Sequence, residues 1–360
     1  MKGTSSPSSK QTSTLSLLPS ALPPSTPLSP TITLLSPLKH LSYPHTPSLH
    51  LPTLLYLPGF DGTLLSSFLQ YPNLSNSFTC LSVEVSIKDR TPFSLYLRLI
   101  KDLIEDLEGP VYIVGESFGS ILGISLVSEL HANPNCDLTS SIEKVKGLIL
   151  VNPALSYPSS PLKPVLQDLK STTNPIIYNL KLCKSLSLFK DEYSFKQLRG
   201  IIGNKWLPKV IGGRKDEAYL GRFALGLGGR VEYMDRDCLG FRTEEWLDSG
   251  CRHVSRINLK KLETKIINIV GTNDQALPSL TYAQSSLNFL KTYEIKGAGH
   301  ASTLGGMCDL NAILLNEYFS KNEEIVEGEG VERGMVERVG EMKGGMNPLE
   351  YWGDDVYEVF

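Results

Sequence analysis

The stretch VYIVGESFGSILGISLV, residues 111–127, constrains this chain more than any other. VYIV is a short apolar run without polar alternation, the pattern of a strand covered on both faces. It passes into a helical pattern through Gly115-Glu116-Ser117-Phe118-Gly119, which fits G-x-S-x-G. A serine on so sharp a strand-to-helix turn carries strained backbone angles, and the flanking glycines relieve crowding against neighbouring strands. Ser120 and Gly123 add small residues where the helix must pass close to the sheet. The turn also sets the Phe118 amide at a helix N-terminus, where it can donate to a developing oxyanion.

The rest of the middle repeats this alternation. LLYL (54–57), TCLSVEV (79–85), KGLILVN (146–152), KIINIVGTND (265–274) and LKTYEIKGAGH (290–300) read as strands. Between the second and VYIV, the segment from Thr91 reads as a helix capped by Thr91 with Pro92 at its first position. Leu95, Leu99, Leu103 and Leu107 repeat there at helical spacing. Strand and helix in alternation predict an α/β fold, a mostly parallel sheet flanked by helices. The hundred or so residues at about 153–260 interrupt the alternation and are expected to form an inserted cap rather than a plain loop.

A serine hydroxyl is a weak nucleophile at neutral pH and needs a base. With G-x-S-x-G the chain order is serine, acid, histidine. Of six histidines, His300 in Gly297-Ala298-Gly299-His300 is the one beyond all the strands. For the acid, the turn after 151 offers only Asn152-Pro153-Ala154-Leu155, whereas Gly271-Thr272-Asn273-Asp274 ends a strand, where catalytic groups gather in α/β sheets. Asp274 is therefore the expected acid, with Asp248 and Asp309 as fallbacks. The second oxyanion donor is expected from Leu57-Pro58-Gly59-Phe60-Asp61-Gly62, with the Phe60 amide chosen and Asp61 shaping the turn.

The ends differ in composition. Residues 1–50 are rich in Ser, Thr and Pro and hold no acidic residue, the first in the chain being Asp61. This arm is expected to be disordered, and reads either as a plastid transit segment or as an untargeted tail in a cytoplasmic protein. Residues 321–360 read as an acidic, glycine-rich tail behind a domain at 51–320. A net charge of −3 gives no reason to expect nucleic acid, and no apolar run reaches the length of a spanning helix, so membrane or lipid-droplet contact is expected to be peripheral. The six cysteines show no metal-ligand spacing and read as reduced thiols. No metal or organic cofactor is called for, and the oligomeric state stays open.

With these residues in hand, the chain resembles the α/β-hydrolase superfamily. LPGFDGT, GESFGS, LVNPA, GTNDQALPS and GAGH look like the plant and algal esterase/lipase/thioesterase group that includes the phytyl ester synthases. The resemblance covers about 51–320 and implies serine-based acyl chemistry on an apolar lipid or prenyl ester in plastids. It gives Ser117, Asp274 and His300 the triad roles. Phytyl ester synthases also carry an acyltransferase region with an HxxxxD motif, which this sequence lacks, so hydrolysis or transfer by the hydrolase half alone is favoured. The two antiparallel strands that usually begin the fold have one candidate, TITLL (31–35). Three readings stay open: esterase, acyltransferase to an alcohol such as phytol or diacylglycerol, and a non-catalytic ligand-binding protein.

Overall fold

A computed structural model describes residues 25–40, 51–64, 66–132, 143–185, 188, 233–319 and 336–337. Among these residues nine strands form one sheet: β1 Ser25–Pro27, β2 Ile32–Leu35, β3 Thr53–Leu57, β4 Thr79–Val85, β5 Val111–Glu116, β6 Val145–Val151, β7 Ile266–Gly271, β8 Lys291–Ile295 and β9 Val336–Glu337. Their order is β1-β2-β4-β3-β5-β6-β7-β8-β9. β1 and β2 pair antiparallel, as do β2 and β4, and every later pairing is parallel. TITLL does supply a strand, β2, and Ser25–Pro27 pairs with it. Residues 25–40 thus belong to the sheet and a short helix (Pro37–His40), not to a disordered arm as read over 1–50. β1 is hard to see in sequence because STP has no apolar alternation; it is extended through its ladder to β2.

The flanking helices are α1 Phe93–Asp106, α2 Phe118–Ala132, α3 Leu162–Ser171, α4 Pro175–Ser185, α5 Arg236–Phe241, α6 Ser249–Val254, α7 Ser279–Ser286 and α8 Leu310–Tyr318. The period of two along each strand sorts side chains between two cores. Leu55, Leu57, Ile113, Leu148 and Leu150 meet α1 and α2 on one face. Leu54, Tyr56, Val114, Ile149, Ile267 and Ile269 meet α8 and the short helix Tyr71–Leu74 on the other.

α1 differs in detail from expectation. It buries Phe93, Tyr96, Leu97, Ile100, Leu103 and Ile104, while Leu95 is exposed. Steps of four residues drift by about 40° each on a helix of 3.6 residues per turn, so four leucines so spaced cannot share one narrow face. Thr91 does not cap this helix; its N–H and hydroxyl bond the Asp89 carboxylate at 3.0 and 2.7 Å, and the helix starts at Phe93.

The excursion between β6 and β7 is helical where it is described. It holds α3, α4 and α5, the π-helical segment Arg242–Asp248, and α6. Much of the predicted cap, 186–187 and 189–232, lies outside the described residues, as do 1–24, 41–50 and the tail apart from β9.

Register brings the functional loops together. Leu57 lies level with Gly115, Glu116 with Val151, and Gly271 with Ile295. The loops carrying Phe60, Ser117, Asn152, Asp274 and His300 therefore all leave the same, C-terminal, edge of the parallel sheet, where ligands bind in open α/β folds.

Candidate active site

Ser117 sits between β5 and α2 with φ 53°, a left-handed conformation that costs a non-glycine residue about 1–3 kcal/mol. Backbone bonds hold it there. Its N–H donates to Val151 O at 2.9 Å, and its carbonyl accepts from the Ser120 and Ala154 N–H groups, each at 3.1 Å. Gly119 is forced by the same turn: a Cβ there would lie 2.1 Å from the Leu57 carbonyl oxygen, and one on Gly115 would lie 2.4 Å from Gly119 O. The Phe118 amide opens α2, where helix N–H groups have no intrahelical acceptor. Across from it, Gly59 approaches so closely that a Cβ would stand 3.5 Å from Ser117 Cβ. This sets the loop of Phe60 beside the serine.

Asp274 and His300 meet at 2.8 Å, Oδ2 to Nδ1, with only 1% of the aspartate side chain exposed. The other carboxylate oxygen, Oδ1, accepts from the Ala276 and Leu277 N–H groups at 3.1 and 3.0 Å, and Ser279 Oγ donates to Oδ2 at 2.8 Å. The carboxylate therefore closes a local turn and holds the histidine at once. The two loops are also stitched by backbone, with Asn273 N–H donating to Ala298 O at 2.8 Å and Gly297 N–H to Thr272 Oγ1 at 2.8 Å.

Asn152 completes the arrangement. The sequence offered it only as a position lacking a carboxylate. Fully buried and at φ 41°, it donates from Nδ2 to His300 O and to Thr303 Oγ1, each at 2.8 Å, and accepts from Gly271 N–H at 2.8 Å. One amide thus ties the end of β6 to the acid-bearing and histidine-bearing loops. The signal that could have found it is an asparagine directly after a fully apolar strand, at the sheet edge where polar side chains must have partners.

The fallback acids lie elsewhere. Asp248 pairs with Lys163 at 3.7 Å on the inserted segment, and Asp309 caps α8 through Ala312 N–H at 3.0 Å. Asp61 accepts from the Thr63 hydroxyl within its own turn.

Glu116, the variable residue before the serine, is a second carboxylate at the site. Tyr56 OH and Ser66 Oγ donate to it, and its side chain is buried. Burial pushes its carboxyl up to about 7, against those two hydrogen bonds. For His300, burial disfavours the charged ring, but the Asp274 charge and hydrogen bond, with Glu116 and Asp61 beyond, outweigh it and hold the pKa above the usual histidine value. A base must be neutral to accept a proton, so if His300 serves as one, activity should rise with pH as it loses its proton. Glu116→Gln removes one of the charges that favour the imidazolium. Glu116 itself gains its charge only as the pH rises toward about 7, across the range in which His300 titrates, so Glu116→Gln should steepen the kcat/KM limb and move it to lower pH; an unchanged limb would show that Glu116 does not act on His300.

No family model matches the chain. Phytyl ester synthase 1, chloroplastic, of Arabidopsis thaliana is 28% identical over 276 residues, covering 73% of this chain and 36% of that protein. Phytyl ester synthase 2, chloroplastic, of the same plant is 31% identical over 169 residues, covering 42% of this chain and 22% of that protein. The chain thus spans about a third or less of the length of these relatives. Among solved structures, MGS-M2, an alpha/beta hydrolase enzyme from a Medee basin deep-sea metagenome library, aligns with a TM-score of 0.50 at 16% identity, over 78% of this chain and 93% of that one. That likeness shows the fold.

Proposed function

We propose that this chain of α/β-hydrolase fold is a serine hydrolase of carboxylic esters, working through Ser117, His300 and Asp274. The observation that carries the reading is the buried 2.8 Å Asp274–His300 pair at the same sheet edge as a serine held at positive φ. Strain at a non-glycine residue persists only where surroundings over-determine it, and it gathers at active sites.

In the proposed cycle Ser117 Oγ attacks the ester carbonyl and gives its proton to His300 Nε2. Asp274 keeps the proton of Nδ1 in place and stabilises the imidazolium. The Phe60 and Phe118 amides receive the oxyanion. His300 then protonates the leaving alcohol and the acyl group rests on Ser117. Water, or a bound alcohol, attacks that acyl-enzyme with His300 again taking the proton, which it returns to Ser117 Oγ as the bond from Oγ to the acyl carbon breaks. The outcome is a free acid in the first case and a new ester in the second.

The names of the two Arabidopsis relatives support an ester of a long prenyl alcohol as substrate or product, and their chloroplastic location supports a plastid for this chain. Among the described residues no helix is long and apolar enough to cross a membrane, which suits peripheral contact with a lipid surface. The test is labelling of the purified full chain by a fluorescent fluorophosphonate, followed by long-chain acyl esters with and without added phytol. Labelling and release of free acid are expected. Phytyl ester in place of acid would make the chain a transferase, and a folded chain that stays unlabelled and inert would end the reading.

A further inference from the structure

The inserted segment between β6 and β7 does more than fill sequence. Arg242 and Trp246 on it are both completely buried. The guanidinium donates to Phe60 O at 2.8 Å from Nη1 and to Ser86 O at 2.9 Å from Nη2. Its other face lies on the Trp246 ring, 4.3 Å from the centroid. Trp246 in turn stacks on Phe118, with centroids 4.8 Å apart and planes 13° apart, and donates from Nε1 to Thr91 O at 3.1 Å. Phe93 and Tyr96 of α1 enclose the Phe118 ring, 6.2 and 6.1 Å away. One arginine–tryptophan stack therefore ends at Phe60 on one side and Phe118 on the other.

Burying a guanidinium costs several kcal/mol unless charges and acceptors answer it. Asp61 and Asp89 supply charge nearby, but an apolar side chain would fill the same space without that cost. The loop packs tightly on β4 and on this group: at Gly62 (φ 76°) a Cβ would lie 2.7 Å from Val85 O and 3.1 Å from Arg242 Nη1. The segment itself is a π-helix over Arg242–Asp248, a rare form found often at functional sites.

We propose that Arg242 and Trp246 are positioning residues that set both oxyanion donors, Arg242 by gripping the Phe60 backbone and Trp246 by fixing Phe118. The inference rests on the serine hydrolase reading above. Oxyanion stabilisation depends on donors already aimed at the charge that develops. A loosened donor should therefore weaken binding of the transition state and leave binding of the substrate nearly intact.

The experiment uses the full chain and a p-nitrophenyl ester that the wild type turns over. Arg242→Met, Arg242→Lys and Trp246→Leu are compared for kcat, KM, thermal midpoint and inhibition by a trifluoromethyl ketone, which forms an oxyanionic adduct with an active serine. Arg242→Met should lower kcat by about 10²-fold with KM little changed, and the ketone should weaken by the factor lost in kcat/KM. Arg242→Lys should lose less than Arg242→Met, because its ammonium can still donate to one of the two carbonyls, but it should not match the wild type, because it lacks the fork with which arginine spans both. Activity that falls only with the folded fraction, at unchanged ketone affinity, would overturn the proposal, as would a loss carried by KM alone. If Arg242→Met or Trp246→Leu fails to fold, Arg242→Lys with the ketone decides. A wild type that takes no fluorophosphonate would bring down the hydrolase reading and this inference with it, whereas an active wild type with unaffected variants would bring down the inference alone.

Discussion

Ser117→Ala should leave a folded chain that takes no fluorophosphonate label and whose ester turnover is down by about 10⁶-fold. The fold should survive because alanine brings no new atom into the turn. Position 117 keeps its φ of 53°, which strains alanine as it strains serine, and the backbone bonds to Val151, Ser120 and Ala154 need no side chain. The thermal midpoint should therefore stay with that of the wild type, so lost activity cannot be put down to lost structure. Loss of the proposed nucleophile removes the covalent route altogether, and what remains is the binding site with its proposed oxyanion donors. Labelling that persisted in the variant would mean that the probe reports another nucleophile. Exposed Cys183 is the first to check, and the serine reading would then fail.

The parts of this molecule that sequence could reach are those whose cause is local. Ser117 is legible because the turn it needs demands small residues at fixed offsets, and Gly119, pressed against Leu57 O, shows why. Asp274 and His300 could be singled out without coordinates because each follows an apolar strand and comes in the required order. The parallel fold was legible in the same way, from short apolar runs alternating with helical ones. What sequence could not reach depends on distant partners. Arg242 lies 182 positions from Phe60, and nothing in FRTEEWLDSG distinguishes an arginine bound for the interior from one on a solvated face. Glu116 occupies a position that the motif leaves free, and its meaning comes from Tyr56 and Ser66. β1 exists through its pairing with β2, and a propensity reading of Ser25-Thr26-Pro27 sees no apolar alternation. The leucine repeat from Leu95 marks the helix but not its buried face, since a repeat at intervals of four winds around the helix and leaves Leu95 exposed.

Asp274→Asn should cost about 10⁴-fold in kcat while leaving the loop intact. The substitution separates the two jobs of this side chain. Its Oδ1 accepts from Ala276 and Leu277 N–H, and an asparagine carbonyl can do the same, so the turn should hold. Toward His300 the change is different. The atom facing Nδ1 becomes an NH₂ group, which can only donate, and Nδ1 must then accept. The ring proton is driven to Nε2, the nitrogen that in the proposed cycle takes the proton of Ser117, so the neutral base is in the wrong tautomer. A second consequence follows for pH. Burial disfavours the His300 cation, and it is chiefly the Asp274 charge and hydrogen bond that reverse this and raise the pKa. Without the carboxylate the acid limb of the residual activity should move to lower pH, while the plateau stays low at every pH because the tautomer is wrong there too. Glu116→Gln should move the limb and spare the plateau, so the two carboxylates are distinguishable in one set of profiles. An Asp274→Asn chain that kept most of its activity would reduce Asp274 to a turn residue and leave His300 without the partner on which the proposed mechanism depends.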